Sequence, residues 1–133
     1  MDNKELLSLQ IQATKGRMLA VEAVSLAKSG HPGGSLSSMD AMTYLYNKEM
    51  NIDPANPKNP DRDRFVLSKG HAAPGLYAVL ALRGYFDTEE LKSLRQPHSM
   101  LQGHPDMKGI PGVDMSTGSL GQGISAACGM ALA

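Results

Sequence analysis

The chain has 133 residues, a length usual for one domain, and its 13 basic and 13 acidic side chains cancel without a long run of either sign. That balance argues against an electrostatic grip on nucleic acid or on an anionic membrane, and points instead to small molecules or other proteins as partners. Cys128 is the single cysteine, so no internal disulfide can form, and its neighbours Ser125, Ala126, Ala127 and Gly129 suggest a small packed helix position rather than a reactive thiol. The start of the chain shows no basic segment leading into an apolar one, and no apolar run reaches membrane-spanning length, which is the expectation for a cytoplasmic protein.

From about Asp2 to Lys28, the residues Leu7, Ile11, Met18, Val21 and Val24 recur at helical spacing and form one stripe of an amphipathic helix. The helix should end in "KSGHPGG", where Lys28 suits the C-terminal dipole, Gly30 suits the cap and Pro32 cannot continue the ladder. A second helical stretch, "MDAMTYLYNKEM", follows Ser37 and Ser38, and the proline- and asparagine-rich "NIDPANPKNPDRD" reads as surface turns. "RFVLS", residues 64–68, is apolar between charge and Gly70 and predicts a short buried strand with His71 just past its end. Residues 73–83, "APGLYAVLALR", predict a helix, and "DTEEL" offers Asp87 as the cap of a further short helix, with Glu90 three places on. Residues 96–118 are rich in glycine and proline without apolar periodicity, as in long loops that are functional or disordered. "STGSLGQG" then feeds the helix-prone "ISAACGMALA".

His31, His71 and His104 all fall in turns of small residues, "GHPGG", "KGHAA" and "GHPD". Imidazole exchanges protons near neutral pH, and a flanking glycine lets a ligand come close to the backbone, a combination suited to an oxygen-rich substrate. Zinc is poorly supported, because no histidine pair has short ligand spacing and one cysteine adds no second thiolate. Gly118, Gly121 and Gly123 read G-x-x-G-x-G, which departs from the dinucleotide fingerprint, and no Walker-type lysine is present. The loop does precede a helix N-terminus, whose amides suit anions or polar ring atoms. The alternative is a turn with close helix packing.

The segments "SGHPGGSLS", "DRFVLSKGHAAPGLYAVLALRGYF" and "LQGHPDMKGIPGVDMSTGSLGQGISAACGMALA" together resemble the N-terminal part of transketolase, over nearly the whole chain and in the family's order. The resemblance implies an α/β fold, a parallel sheet flanked by helices, of which residues 1–133 form a helix-rich part of the pyrophosphate-binding domain. It implies thiamine diphosphate with Mg²⁺ as cofactors, bound where subunits of an oligomer meet. By family motif His71 contacts the diphosphate, Gly118 and Leu120 touch the cofactor rings, and His31 and His104 are catalytic, meeting the hydroxyl and carbonyl oxygens of sugar phosphate substrates. The activity implied is transfer of a two-carbon ketol unit from a ketose phosphate to an aldose phosphate.

Departures from the family pattern accompany the match. The chain stops before the family's metal-binding Gly-Asp-Gly segment, so no metal ligand is assigned here, and it lacks the domain whose glutamate activates the cofactor. It resembles the N-terminal chain of transketolases made as two chains, and the expectation is a segment inactive alone that works with the remaining domains or a second chain. A non-catalytic remnant that binds a partner chain, or a relative such as dihydroxyacetone synthase, are the alternatives. "SKGHAAPG" and "GHPD" fit transketolase better than deoxyxylulose phosphate synthase.

Overall fold

The carboxylate of Asp2 accepts a hydrogen bond from the Glu5 amide at 2.7 Å and caps the first helix, α1 (Asn3–Ala27), in a computed structural model that describes residues 1–133. The helix ends one turn before the proline, as the sequence requires. Lys28 itself, rather than Gly30, takes the left-handed cap position at φ 49°, its amide bonded to the Ser25 carbonyl.

What α1 buries is not its large apolar stripe. Ala13, Gly16, Ala20 and Ala23 lie inward at steps of three and four, whereas Leu7, Ile11 and Met18 are 55%, 46% and 68% exposed. At 100° per residue the two sets fall on opposite sides of the helix. Small side chains let the second helix, α2 (Pro32–Tyr44), approach closely: a Cβ placed on Gly16 would stand 2.5 Å from Met39 Sδ.

Helix α2 begins at Pro32, earlier than the sequence suggests. Proline fits the first helical position because its missing N–H has no partner there in any case. Ser37 and Ser38 therefore lie inside the helix and do not precede it, and both hydroxyls donate back to the Gly34 carbonyl, at 3.2 and 2.8 Å. A wider turn, Leu45–Glu49, closes the helix and leads into the turns of residues 51–63. Asp63 pins that segment by accepting from the Asn51 amide at 2.7 Å.

The strand expected at residues 64–68 does not form, and the regular structure of the chain is entirely helical. Residues 64–67 take no regular structure, although Leu67 is buried, and no neighbouring segment pairs with them in a ladder. The Phe65 amide donates instead to the Asp114 carboxylate at 2.7 Å, and the same carboxylate pairs with Arg62. The expected parallel sheet is thus absent from these residues.

A tight turn at Gly70–Ala72 opens α3 (Ala73–Arg83), which matches the predicted span and is buried at every position from Ala73 to Ala81. It packs against α1 and α2 and forms the middle of the core, with Leu76, Tyr77 and Leu80 beside Met39, Met42 and Leu101. Asp87 caps the next turn as expected, accepting from the Glu89 amide at 2.9 Å, but Thr88–Ser93 winds more tightly than an α-helix. No regular element follows until α4 (Gly123–Leu132).

Only Gly123 of α4 is buried. Cys128 is exposed, contrary to the packed position its neighbours suggest: Ala126, Ala127 and Met130 are partly covered, and Cys128 lies on the open side of the helix. No helix is long and apolar enough to cross a membrane.

Gly16→Val should therefore lower the unfolding free energy by about 1–3 kcal/mol, because it forces Met39 out of a filled site. Met18→Ser on the opposite face should stay within about 0.5 kcal/mol. Chemical denaturation of the two variants beside the parent protein checks both.

Candidate active site

Three loops meet at the N-terminal ends of α2, α3 and α4, and glycines set how closely they meet. The decisive approach is at Gly70, where a Cβ would lie 2.8 Å from the Thr117 carbonyl carbon, the Gly118 nitrogen and Thr117 Oγ1. Real side chains do not tolerate such a contact with backbone, so only glycine allows residues 116–118 to rest on the turn that carries His71. Ser68 locks the arrangement: its carbonyl accepts from the Gly121 amide at 3.1 Å and its hydroxyl from the Ile124 amide at 3.2 Å. That hydroxyl satisfies one of the free amides at the start of α4.

The histidines follow from this scaffold. His31 immediately precedes α2 and His71 lies in the turn before α3, and their rings stand edge to face with centroids 5.2 Å apart. The His71 ring packs on Gly34, whose Cβ position is 3.5 Å from Cδ2, and Lys69 fastens that corner by donating to the Gly34 carbonyl at 2.9 Å. On the other side Gly118 lies against His104, its Cβ position 3.5 Å from the imidazole carbons. His31, His71, Gly118 and His104 therefore form one continuous surface, although they come from four separate stretches of the sequence.

His104 is held from below. The Tyr77 hydroxyl lies 2.9 Å from the carbonyl oxygens of both Gln102 and His104. Burial, helped by the charge of Asp106, pushes this phenol well above its usual range, so it remains a donor at every working pH. The Thr117 amide reaches the Pro105 carbonyl at 3.3 Å, and Asp106 accepts from the Lys108 amide and the Ser116 hydroxyl at 3.1 and 3.2 Å. His31 and His104 hydrogen-bond through their backbone carbonyls, which leaves their ring nitrogens free for a ligand.

Leu120 is 68% exposed at the tip of the glycine loop. An open depression of about 280 Å³ runs beside it along Ser116, Thr117, Gly118 and Gln122. Thr117 Oγ1 is buried there without a hydrogen-bond partner. His98, by contrast, is exposed on a separate loop. No three His, Cys, Asp or Glu side chains gather into a group able to hold a metal ion.

Ser68, Lys69, Tyr77 and Thr117 are site residues that sequence reasoning does not single out. Ser68 and Lys69 stand directly before "GH" and carry a weak local signal. Tyr77 looks like an ordinary core residue, since its partners lie 25 and 27 positions away.

The family described as transketolase, thiamine diphosphate binding domain, matches residues 9–133. The chain belongs to the transketolase family. It is 53% identical over 131 residues to a 6-deoxy-6-sulfo-D-fructose transketolase subunit of Clostridium sp. (strain MSTE9), covering 98% of this chain and 48% of that subunit. It is 43% identical over 126 residues to an apulose-4-phosphate transketolase subunit of Phocaeicola vulgatus, covering 95% and 44%, and 49% identical over 119 residues to the transketolase of Cereibacter sphaeroides, covering 88% and 18%. Among solved structures, transketolase from Pichia stipitis in complex with sedoheptulose-7-phosphate superposes with a TM-score of 0.90 at 45% identity, over 93% of this chain and 18% of that one. The chain thus spans about half the length of its transketolase-subunit relatives and under a fifth of the longer transketolases. Its helical layers are those of a transketolase N-terminal, thiamine diphosphate-binding fold.

Gly70→Ala should leave α1–α3 folded, since the new methyl points away from their core and into residues 117–118. Thiamine diphosphate affinity of the complete transketolase should fall at least about 10-fold as the glycine loop is pushed off the His71 turn, equivalent to about 1.4 kcal/mol. Calorimetric titration, with circular dichroism as the folding check, reads both effects.

Proposed function

We propose that this chain supplies the diphosphate-side half of a transketolase active site and takes part in moving a two-carbon ketol unit from a ketose phosphate to an aldose phosphate. The observation that carries the reading is the contact of Gly70 with Thr117 and Gly118, which gathers His31, His71, His104 and the glycine loop onto one surface. Remaining transketolase domains or a second chain would complete the assembly in the cytoplasm. They would bring the strands of an α/β sheet. Residues 1–133 act as one part of the pyrophosphate-binding domain and are inactive alone.

The residues fit thiamine diphosphate. Thr117 Oγ1 is a buried hydroxyl without a partner, packed over Gly70 in a residue that lines the open depression. A buried polar atom of that kind favours a ligand that completes its hydrogen bonding. His71 would hold the diphosphate by N–H donation, Gly118 would lie flat against a ring, and Leu120 would add apolar area. When bound, the cofactor supplies a nucleophilic thiazolium carbon and an electron sink. Mg²⁺ is a different case: without a carboxylate cluster the chain does not provide a hard cation with an oxygen shell, so its ligands would come from elsewhere in the assembly.

The protein's own chemistry lies with its imidazoles. His31 and His104 expose free ring nitrogens on either side of the cofactor surface, where they can hold substrate oxygens and take or return a proton. Tyr77 and Lys69 keep the supporting backbone still, so the rings meet substrate in a fixed orientation.

In the complete enzyme, His71→Ala should raise the thiamine diphosphate dissociation constant about 10-fold or more and be largely rescued by excess cofactor. His104→Ala should leave cofactor affinity nearly unchanged and lower kcat about 100-fold or more. Steady-state ketol transfer combined with cofactor titration separates the two, and the reverse pattern would overturn the assigned roles.

A further inference from the structure

Arg95 has no part in the roles assigned above, yet it lies between two of the histidine turns. Its backbone is left-handed at φ 61°, and its amide donates to the Leu101 carbonyl at 2.9 Å, which closes the loop 95–101. From that base the side chain crosses to the turn between α1 and α2, where Nη1 donates to Ser29 Oγ at 2.6 Å. On the way the guanidinium lies against Gly103, where a Cβ would stand 2.9 Å from Nε and Nη2 and 3.0 Å from Cζ. Ser29 is two residues before His31, and Gly103 immediately precedes His104. The ion pairs of the protein use Arg17, Lys48, Arg62 and Lys92, so no carboxylate draws Arg95 away from this position.

We propose that Arg95 is a positioning residue for ketol transfer, which sets the separation of His31 from His104 by bonding Ser29 and lying flat over Gly103. The inference rests on the proposed function. A planar guanidinium can use its face and its edge at once, here the face on Gly103 and the edge at Ser29, and an ammonium cannot. Tyr77 secures the His104 turn from the α3 side, and Arg95 joins the same turn to the His31 side. Two imidazoles that serve one substrate need such a link, because an error near 1 Å in their spacing costs about 100-fold in rate.

The test uses the complete transketolase. Arg95→Ala and Gly103→Ala should each lower kcat for ketol transfer about 10- to 100-fold, while thiamine diphosphate affinity changes less than about threefold, since the His71 turn is held separately. The double variant should be no slower than the worse single variant, because both remove one clamp. Arg95→Lys should not restore the rate. Hydrogen exchange gives a reading independent of activity: amides of residues 29–31 and 101–104 should exchange faster in Arg95→Ala, with α3 unchanged. Losses that multiply in the double variant, full rescue by lysine, or unchanged exchange in the two turns would each overturn the inference. Absence of ketol transfer in the parent enzyme would overturn the proposed function instead, and the exchange result would still decide whether the clamp exists.

Discussion

The site depends on one contact in which backbone meets backbone. Because residue 70 has no side chain, Thr117 and Gly118 settle on the turn before α3, and the long loop 94–122 gains a fixed place without secondary structure of its own. Ser68 then holds both the end of that loop and the start of α4, and Asp106 ties the middle of the loop to Ser116. A loop of this length would otherwise be costly in conformational entropy. Here its ordering rests on scattered hydrogen bonds, on the burial of Leu94, Leu101, Ile110 and Val113, and on close glycine contacts, and the immovable partner is α3, buried along nearly its whole length.

Much of this was legible in the sequence, though unevenly. The spans of α1 and α3 follow from apolar periodicity and capping, and the Asp87 cap is where its side chain predicts. The three turns bearing His31, His71 and His104 were recognisable because glycine and proline leave local signatures. Their convergence was not, since it depends on contacts across dozens of residues that no local pattern encodes. The inward face of α1 was misleading for a physical reason: periodicity marks large apolar residues, whereas close helix contact is made by small ones. The strand at residues 64–68 failed for another reason, because a strand is a property of two segments and propensity describes only one.

Cys128 and its small neighbours have the composition of a packing surface, yet α4 stands clear of the core with Ile124 and Leu132 in solvent. This exposed helix belongs to a chain that spans about half the length of its transketolase-subunit relatives. The core is thus concentrated in α1–α3, and the site lies where loop 94–122 meets their turns.

The two faces of α1 carry different consequences for sequence variation. Its inner face is limited by volume, most tightly at Gly16, where even a Cβ would stand 2.5 Å from Met39 Sδ. Its outer face, with Leu7, Ile11 and Met18, answers to nothing inside this chain. A library randomised at the outer positions and selected for enzyme function would therefore act as a silent reporter: any preference for apolar residues that survived selection would record a neighbour lying beyond these helices, and would locate it to within one turn of α1.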